Sequence, residues 1–222
     1  MPLSHRGRMM GGGELSPPTP PEDVVFDYTT FTEVDPNSRY TVGVASIAFA
    51  ALPRNESSYI YKDMGVNYYS GNFKFDFDYI ATAYGSAGHA EPWALANAVN
   101  NVYTLRTSGE SLLQCSAYIF SGAIRFEVYE IIGTVVRSSG NYQGTWNSQY
   151  YLTVERDESI GTYGRLYLRV YSDAARTTLL SEVYLDLTAK LDFRYLYGIS
   201  SINTGETDWL TGSVSNLTQV NT

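Results

Sequence analysis

Alternation between aromatic and charged residues is the feature of this 222-residue chain that most constrains its fold. Residues 73–79 read Phe-Lys-Phe-Asp-Phe-Asp-Tyr. Successive side chains of a β-strand point to opposite faces, so a strand here buries its four rings and turns Lys74, Asp76 and Asp78 to water. The pattern therefore predicts a strand with one face in the core.

The same period of two recurs along most of the chain. It is clear in four further segments, residues 124–128, 150–154, 165–171 and 183–187. Weaker strand candidates are residues 40–50, 58–62, 111–120, 193–199 and 212–220. Twenty tyrosines and 19 glycines suit strands and turns. More than ten short strands without βαβ spacing predict an all-β fold, a jelly-roll sandwich of two antiparallel sheets, with a closed barrel as the alternative.

One stretch, residues 92–102, is open between a helix and a strand that runs into a loop. Pro92 suits the first turn of a helix, and four of the apolar residues after it fall near one face. Three asparagines in the same stretch are mediocre helix formers.

The first 23 residues differ in composition from the rest of the chain. Three consecutive glycines occupy residues 11–13, and four prolines follow at Pro17, Pro18, Pro20 and Pro21. Such a segment favours an extended polyproline conformation with a flexible hinge and forms no packed core. We predict an assembly arm over residues 1–23, held by a neighbouring subunit, and a sandwich over residues 24–222. Residues 1–13 also lack an apolar stretch, so we expect no secretory signal.

Several segments resemble the concanavalin A-like lectin/glucanase sandwich domains, of laminin-G type, found in phage and environmental bacterial proteins. The resemblance rests on residues 31–39 (Phe-Thr-Glu-Val-Asp-Pro-Asn-Ser-Arg), 59–63, 150–157, 193–199 and 212–217. It covers about residues 24–220. It implies that the first and last strands pair, with residues 26–30 beside residues 212–220. The superfamily holds glucanases, lectins, carbohydrate-binding modules and structural domains, so the resemblance implies a fold rather than an activity.

Glycoside hydrolysis needs two carboxylates with distinct pKa values, and retaining glucanases of this fold carry them in a Glu-x-Asp-x-x-Glu strand motif. That motif is absent from the sequence. Asp76 and Asp78 share a strand face but have no glutamate partner, and Glu127 and Glu130 point to opposite sides of a regular strand. We interpret all four as solvated charges and predict that the protein is not an enzyme.

The inventory of reactive residues is small. Cys115 is the single cysteine and falls in a buried-side alternation, while His5 and His89 are the two histidines. This excludes a disulfide framework and multi-thiolate zinc sites, and we expect neither a metal nor a cofactor. A net charge of −8 disfavours nucleic acid as a partner. No apolar run approaches the ~20 residues that span a bilayer, so we expect no membrane partner.

Planar rings and guanidinium groups alternate along two predicted strands, residues 125–129 and 165–171. Such side chains can stack on sugars or grip a protein, or they can pair across strands and merely cover a sheet. Trp146, in a turn-rich segment, is either an exposed platform or a loop anchor. The candidate ligand-binding residues are Arg125, Tyr129, Trp146, Tyr167, Arg169 and Tyr171.

Together these features favour a non-enzymatic virion structural protein, either a capsid decoration protein or a tail- or fibre-associated subunit. Its arm would contact neighbouring subunits of the capsid or tail, or further copies of the chain, and its outer surface can adhere to cell-surface glycans. The expected location is the virion. Two alternatives stay open: a carbohydrate-binding module or remnant glycoside hydrolase, and a self-assembling bacterial surface or matrix protein located outside the cell.

Overall fold

The computed structural model describes residues 22–221, which form sixteen strands, one α-helix and one short 3-10 helix. The helix α1 spans Val102–Ser108, and the 3-10 helix spans Tyr28–Thr30. The strands are β1 (Val24–Val25), β2 (Thr32–Val34), β3 (Tyr40–Val42), β4 (Ser46–Pro53), β5 (Tyr59–Asp63), β6 (Phe73–Tyr84), β7 (His89–Ala96), β8 (Leu112–Phe120), β9 (Ala123–Ile132), β10 (Val135–Ser138), β11 (Tyr142–Gly144), β12 (Tyr150–Asp157), β13 (Arg165–Tyr171), β14 (Leu179–Asp186), β15 (Tyr195–Ser201) and β16 (Trp209–Val220).

The strands form two eight-stranded antiparallel sheets. Sheet I has the order β14-β13-β12-β6-β16-β4-β3, with β1 also paired to β16. Sheet II has the order β10-β9-β8-β7-β15-β5-β2, with β11 also paired to β9. Two separate sheets enclose one large core, which confirms the predicted sandwich and rules out the closed-barrel alternative.

The core includes the aromatic side chains that alternate along strand β6, as the sequence predicts. Phe73, Phe75, Phe77 and Tyr79 are all buried in sheet I. The ring of Trp93, from sheet II, lies 5.9 Å from that of Phe73 and 5.6 Å from that of Phe75. Burying each such side chain is worth about 1.5–3 kcal/mol, so the aromatic rings of the two sheets stabilise their face-to-face packing.

The first and last strands pair, but not over the residues we expected. Val24 and Val25 form β1 and pair with the end of β16, and the Phe26 amide donates to Leu217 O at 2.9 Å. Residues 28–30 leave the sheet as a 3-10 helix because the side chain of Asp27 accepts a hydrogen bond from Thr29 N at 2.9 Å.

The ambiguous stretch 92–102 is a strand that runs into a loop. Pro92 lies inside β7, at an irregularity between Ala90 and Trp93 where the pairing register shifts. The helix begins only at Val102, because Asn101 caps it by accepting from Thr104 N at 2.9 Å. We did not predict this helix from the sequence.

Helix α1 packs on the outer face of sheet II, away from the main core. Its buried Val102 and Leu105 contact a second apolar cluster. From the sheets this cluster includes Ala94, Ala96, Leu112, Ile131 and Tyr197. The helix therefore covers the part of this face that these residues form. No helix among residues 22–221 is long and apolar enough to cross a membrane.

The predicted arm falls almost wholly outside the described residues, which include only its last two positions, Glu22 and Asp23. The four prolines Pro17, Pro18, Pro20 and Pro21 are outside them as well, so the assembly role of the arm stays a prediction.

Candidate functional site

Another part of the outer face of sheet II contains a groove of about 320 Å³. Three neighbouring strands, β7, β8 and β9, form its floor. Its walls are Arg54, Ala87, His89, Tyr118, Ile119, Phe120 and Tyr129.

The strand register gathers polar side chains beneath and around this groove. His89 lies opposite Tyr118, and Ser116 lies opposite Glu127. On each strand these residues alternate with side chains of the main core, so they all occupy the outer face. The face carries His89 and Glu91 from β7, Gln114, Ser116 and Tyr118 from β8, and Arg125, Glu127 and Tyr129 from β9.

Glu91 is fully buried and organises the first half of this cluster. Its carboxylate accepts hydrogen bonds from Gln114 Nε2 at 3.0 Å and from Ser116 Oγ. His89 Nε2 lies 3.1 Å from Glu91 Oε1. A buried carboxylate is costly unless it is hydrogen-bonded, so the bonds from Gln114 and Ser116 allow Glu91 to lie under the groove, beside His89 at its wall.

Glu127 organises the second half. This buried carboxylate accepts from the Tyr118 hydroxyl at 2.6 Å. Burial raises the pKa of Tyr118 to about 12, with the hydrogen bond and charge of Glu127 as further causes. Burial and then the charges of Glu127 and Glu91 raise the pKa of Tyr129 as well. Both phenols therefore stay protonated at neutral pH. The Tyr118 hydroxyl donates its proton to Glu127, so its oxygen can accept a hydrogen bond from a ligand.

The expectation that the strand carboxylates are solvated is wrong for three of the four. Asp78 and Glu127 are 7% exposed and Glu130 is fully buried, whereas Asp76 is half-buried. Loop residues bind two of them: Arg176 Nη2 forms an ion pair with Asp78 at 2.9 Å, and the amide of Thr188 donates to Glu130 at 2.7 Å. The alternation of one strand does not reveal these partners, because they come from distant segments.

Two of the predicted binding residues border the groove. Tyr129 lines it, and the Arg125 guanidinium lies 4.3 Å from the centre of the Phe120 ring, which forms another part of its wall. Arg125 Nη2 also donates to Gln143 Oε1 at 3.1 Å. The structure thus brings Arg125 and Tyr129 together at one surface.

Three others, Tyr167, Arg169 and Tyr171, lie on the outer face of sheet I, on the opposite side of the sandwich. Arg169 is ion-paired with both Glu155 and Glu182, and its guanidinium lies 4.7 Å from the centre of the nearly buried Tyr167 ring. These contacts are the cross-strand pairing that covers a sheet. The six predicted residues therefore do not form one site.

Trp146 lies elsewhere, packed edge-on against Tyr84 with ring centres 5.4 Å apart. It is 38% exposed and lines a cleft of about 400 Å³. A Cβ atom at Gly122 would lie 3.8 Å from the hydroxyl of Tyr84. Gly122 belongs to the β8–β9 turn, two residues after Phe120, so this cleft adjoins the groove.

Sequence reasoning missed most of the groove: Arg54, His89, Glu91, Gln114, Ser116, Tyr118 and Phe120. The sequence does contain one signal for these residues: Gln114, Ser116 and Tyr118 alternate with Cys115 and its apolar neighbours, which are buried in the core. Such alternation indicates that the three polar residues share the opposite face of the strand. The strand pairing that joins them to His89 and Glu91 has no local signal.

No protein-family model and no curated protein matches this chain. Solved structures do match its fold. A legume lectin-like domain from Entamoeba histolytica is 11% identical, with a TM-score of 0.59 over 90% of this chain and 97% of that one. The exoplasmic/lumenal domain of VIP36, in its Ca²⁺/Man3GlcNAc-bound form, is 9% identical, with a TM-score of 0.57 over 90% and 88%. Alginate lyase Aly36B is 12% identical, with a TM-score of 0.56 over 90% and 97%.

These TM-scores establish a shared fold. The sequence identities are too low to establish a shared activity. The fold is a lectin-like jelly-roll sandwich, as the sequence predicted.

Proposed function

We propose that this protein binds glycans in the groove on the outer face of sheet II. One observation carries the proposal: aromatic rings and polar side chains surround the same space. Phe120, Tyr118 and Tyr129 supply rings, and His89 and Arg54 supply polar edges. A sugar offers apolar C–H faces to rings and hydroxyl groups to donors and acceptors, so this mixture suits it.

Two of these polar side chains lie against buried carboxylates before a ligand arrives. Glu91 lies 3.1 Å from His89 Nε2, and Glu127 holds the Tyr118 hydroxyl at 2.6 Å. Fixed side chains lose little conformational freedom on binding, which favours affinity. The fold supports the same ligand class more weakly, because the VIP36 domain of similar architecture is described with a bound mannose-containing glycan.

Binding of the full-length chain to an array of glycans, followed by calorimetry, tests the proposal. Phe120 and Tyr184 are a matched pair, since both are about half exposed and they lie on opposite faces. Phe120→Ala should weaken binding by about tenfold or more, whereas Tyr184→Ala should not change it. Equal losses in the two variants, or no binding by the unmodified protein, would reject the groove.

Two predicted residues refine the experiment. Trp146→Ala tests whether the adjoining cleft extends the binding surface, and a moderate loss is expected for glycans long enough to reach it. Tyr167→Ala should leave binding unchanged, because its ring is covered by Arg169 on the far sheet.

The biological setting is a further part of the proposal. The sandwich is a non-enzymatic virion subunit, and residues 1–23 attach it to neighbouring subunits of a capsid, tail or fibre. The supporting observations are the Gly- and Pro-rich composition of those residues and the entry of the chain beside β16, where Val25 is 72% exposed. Deleting residues 1–23 should leave a folded sandwich that no longer joins the particle, and normal incorporation would contradict this role.

The self-assembling bacterial surface protein differs in one measurable property. Purified protein of that kind polymerises without a partner, whereas a decoration subunit requires a preformed shell. Light scattering of the purified chain separates the two settings, and either result is compatible with glycan binding.

A second candidate function is cleavage of the bound glycan. The supporting observation is that His89 and Tyr118 line the groove, each with its own carboxylate, and an oriented imidazole and phenol can move protons. The fold neighbour Aly36B is an alginate lyase. A remnant hydrolase that uses two carboxylates has less support, because Glu91 is fully buried and both of its oxygens accept hydrogen bonds.

An activity assay decides between binding and cleavage. The full-length chain is incubated with alginate, a β-1,4-glucuronan and a β-glucan, and both reducing ends and unsaturated sugar products are measured. We expect no product. Product that disappears in His89→Ala but not in Tyr184→Ala would make the protein an enzyme.

A further inference from the structure

Arg54 is the cationic residue that the fold fixes most firmly at the groove. It directly follows β4, and its backbone is anchored to the segment before β16. Its amide donates to Asp208 O at 2.9 Å, and its carbonyl accepts from Thr204 N at 2.7 Å and Gly205 N at 3.0 Å. These hydrogen bonds fix the backbone from which the Arg54 side chain extends.

The Arg54 guanidinium is only partly used by the protein. Its Nη1 contacts the carboxylate of Glu206 and donates to Ala87 O at 3.3 Å. Its buried Nε has no hydrogen-bond partner among residues 22–221. Because Nε is closed to solvent, a ligand in the groove would reach this guanidinium through its terminal nitrogens.

The charges at the groove are arranged in layers. The carboxylates of Glu91 and Glu127 lie below, buried and hydrogen-bonded. The side chains at its wall include Arg54 and His89, with Arg125 stacked on Phe120 at the margin. Glu206, in contact with Arg54, is by contrast 52% exposed and belongs to the segment that precedes β16. Because the Glu206 side chain is half exposed, it can leave Arg54 for water at little cost.

We propose that the groove recognises acidic glycans, and that a sugar carboxylate replaces Glu206 on Arg54. The proposal rests on the glycan-binding function above and names its ligand class. A guanidinium fork binds a carboxylate through two parallel hydrogen bonds, and the contact of Glu206 with Arg54 is made at Nη1, one of the two terminal nitrogens of that fork. Glu206 thus acts as an internal competitor that a neutral glycan leaves in place.

Calorimetry with two matched ligands tests this. Tetra- or hexasaccharides of β-1,4-glucuronate and of β-1,4-glucose share a linkage and differ at the carboxylate. The unmodified chain should bind the glucuronate at least tenfold more tightly, and the difference should shrink with added salt. Arg54→Gln should lower affinity for the acidic ligand by tenfold or more and lower affinity for the neutral ligand by a clearly smaller factor.

Glu206→Gln gives a second, independent readout that does not threaten folding, because this side chain is half exposed. Removal of the competitor should raise affinity for the glucuronate severalfold without changing that for the glucose oligomer. Arg165→Gln is the matched control, since Arg165 is also paired with an exposed carboxylate but lies on sheet I. It should change neither affinity. Thermal melting of every variant identifies loss of fold.

The outcomes separate the two proposals. Equal affinity for both ligands, or an Arg54→Gln loss that is the same for both, overturns the acidic-glycan inference and leaves glycan binding intact. A Glu206→Gln variant that binds the glucuronate more weakly also overturns it, because Glu206 would then assist the ligand. Failure of both ligands to bind, with the array also negative, overturns glycan binding and the inference together.

Discussion

The hydroxyl of Tyr118 donates a 2.6 Å hydrogen bond to Oε2 of Glu127, a carboxylate buried on the outer face of sheet II. The two residues face each other diagonally across the β8–β9 pair, where Ser116 is opposite Glu127 and Tyr118 is opposite Arg125. This bond fixes a ring at the groove wall. It also sets a titration that can be measured.

Replacing Glu127 by Gln should lower the pKa of Tyr118 from about 12 toward 10. It should not reach 10, because burial is the largest cause of the upward shift and persists in the variant. The ¹³C resonance of the ring carbon that bears the hydroxyl reports the titration, and Tyr118→Phe identifies the signal. A pKa that stays at 12 in Glu127→Gln would assign the whole shift to burial.

Tyr79→Phe should leave the free energy of unfolding unchanged or raise it by up to about 1 kcal/mol. The Tyr79 hydroxyl is in the core and has no hydrogen-bond partner within residues 22–221. Tyr40→Phe is the matched control, because the Tyr40 hydroxyl donates to Ser58 O at 2.8 Å, and its loss should cost about 1 kcal/mol. Urea denaturation at pH 7 measures both, and equal destabilisation would show that Tyr79 has a partner after all.

Tyr79 should also affect how the stability of the protein depends on pH in the alkaline range. Burial, with the charges of Cys115 and Glu91 as smaller causes, raises the pKa of Tyr79 well above its usual value of 10. A phenol with a raised folded-state pKa contributes stability that is present below pH 10 and is lost as the pH rises further. Tyr79→Phe should therefore flatten the decline in stability above pH 10.

Glu130→Ala should destabilise the fold by about 3 kcal/mol or more. Glu130 is a fully buried residue of sheet II, and it accepts from Thr188 N at 2.7 Å, Thr188 Oγ1 at 2.8 Å and Ala189 N at 3.3 Å. These donors follow β14 of sheet I, so Glu130 ties the two sheets together. Hydrogen exchange should accelerate at Thr188 and Ala189 in the variant.

Glu182→Ala is the control for Glu130→Ala, because Glu182 is a partly exposed partner of Arg169 on sheet I and its removal should cost below about 1 kcal/mol. If the two glutamates prove equally dispensable in urea denaturation, the link through Thr188 does not stabilise the sandwich.

Arg194→Gln should raise the pKa of Asp63 from about 2 toward 3.8. The Arg194 hydrogen bonds are the largest cause of the low value, and the amide of Gly65 is a smaller one that remains. Asp63 contributes stability above pH 3.8 that is lost as the pH falls to 2, so the variant should depend less on pH in this window. Carboxyl ¹³C titration measures the pKa. Asp173, whose pKa of about 2 results from the amides of Thr177 and Thr178, should not change.

Much of the fold was predictable because alternation is a local property. The burial of the rings between Phe73 and Tyr79 could be predicted, since the face on which a side chain lies follows from its position in a strand. Cys115 was correctly placed in the core for the same reason. The predicted pairing of the chain's two ends needed the family resemblance, and its register needed the 3-10 helix that Asp27 initiates.

The candidate site was predictable only in part. Arg125 and Tyr129 follow from the outward face of β9, but the same pattern equally suggested Tyr167, Arg169 and Tyr171, which lie on the other sheet. Alternation tells which residues share a face of one strand. It does not tell which strands are neighbours, and His89 meets Tyr118 only because β7 pairs with β8.

The sequence by itself determined that this chain forms strands with one apolar face and that its rings fill a sandwich core, because hydrophobic burial depends on a period that each segment carries alone. Only the tertiary structure decided that Glu91, Glu127 and Glu130 are buried. A carboxylate can leave water only when donors surround it, and its donors here come from other strands and loops. The groove, its buried acids and the ion pair of Arg54 with Glu206 exist because the folded chain brings those distant partners together.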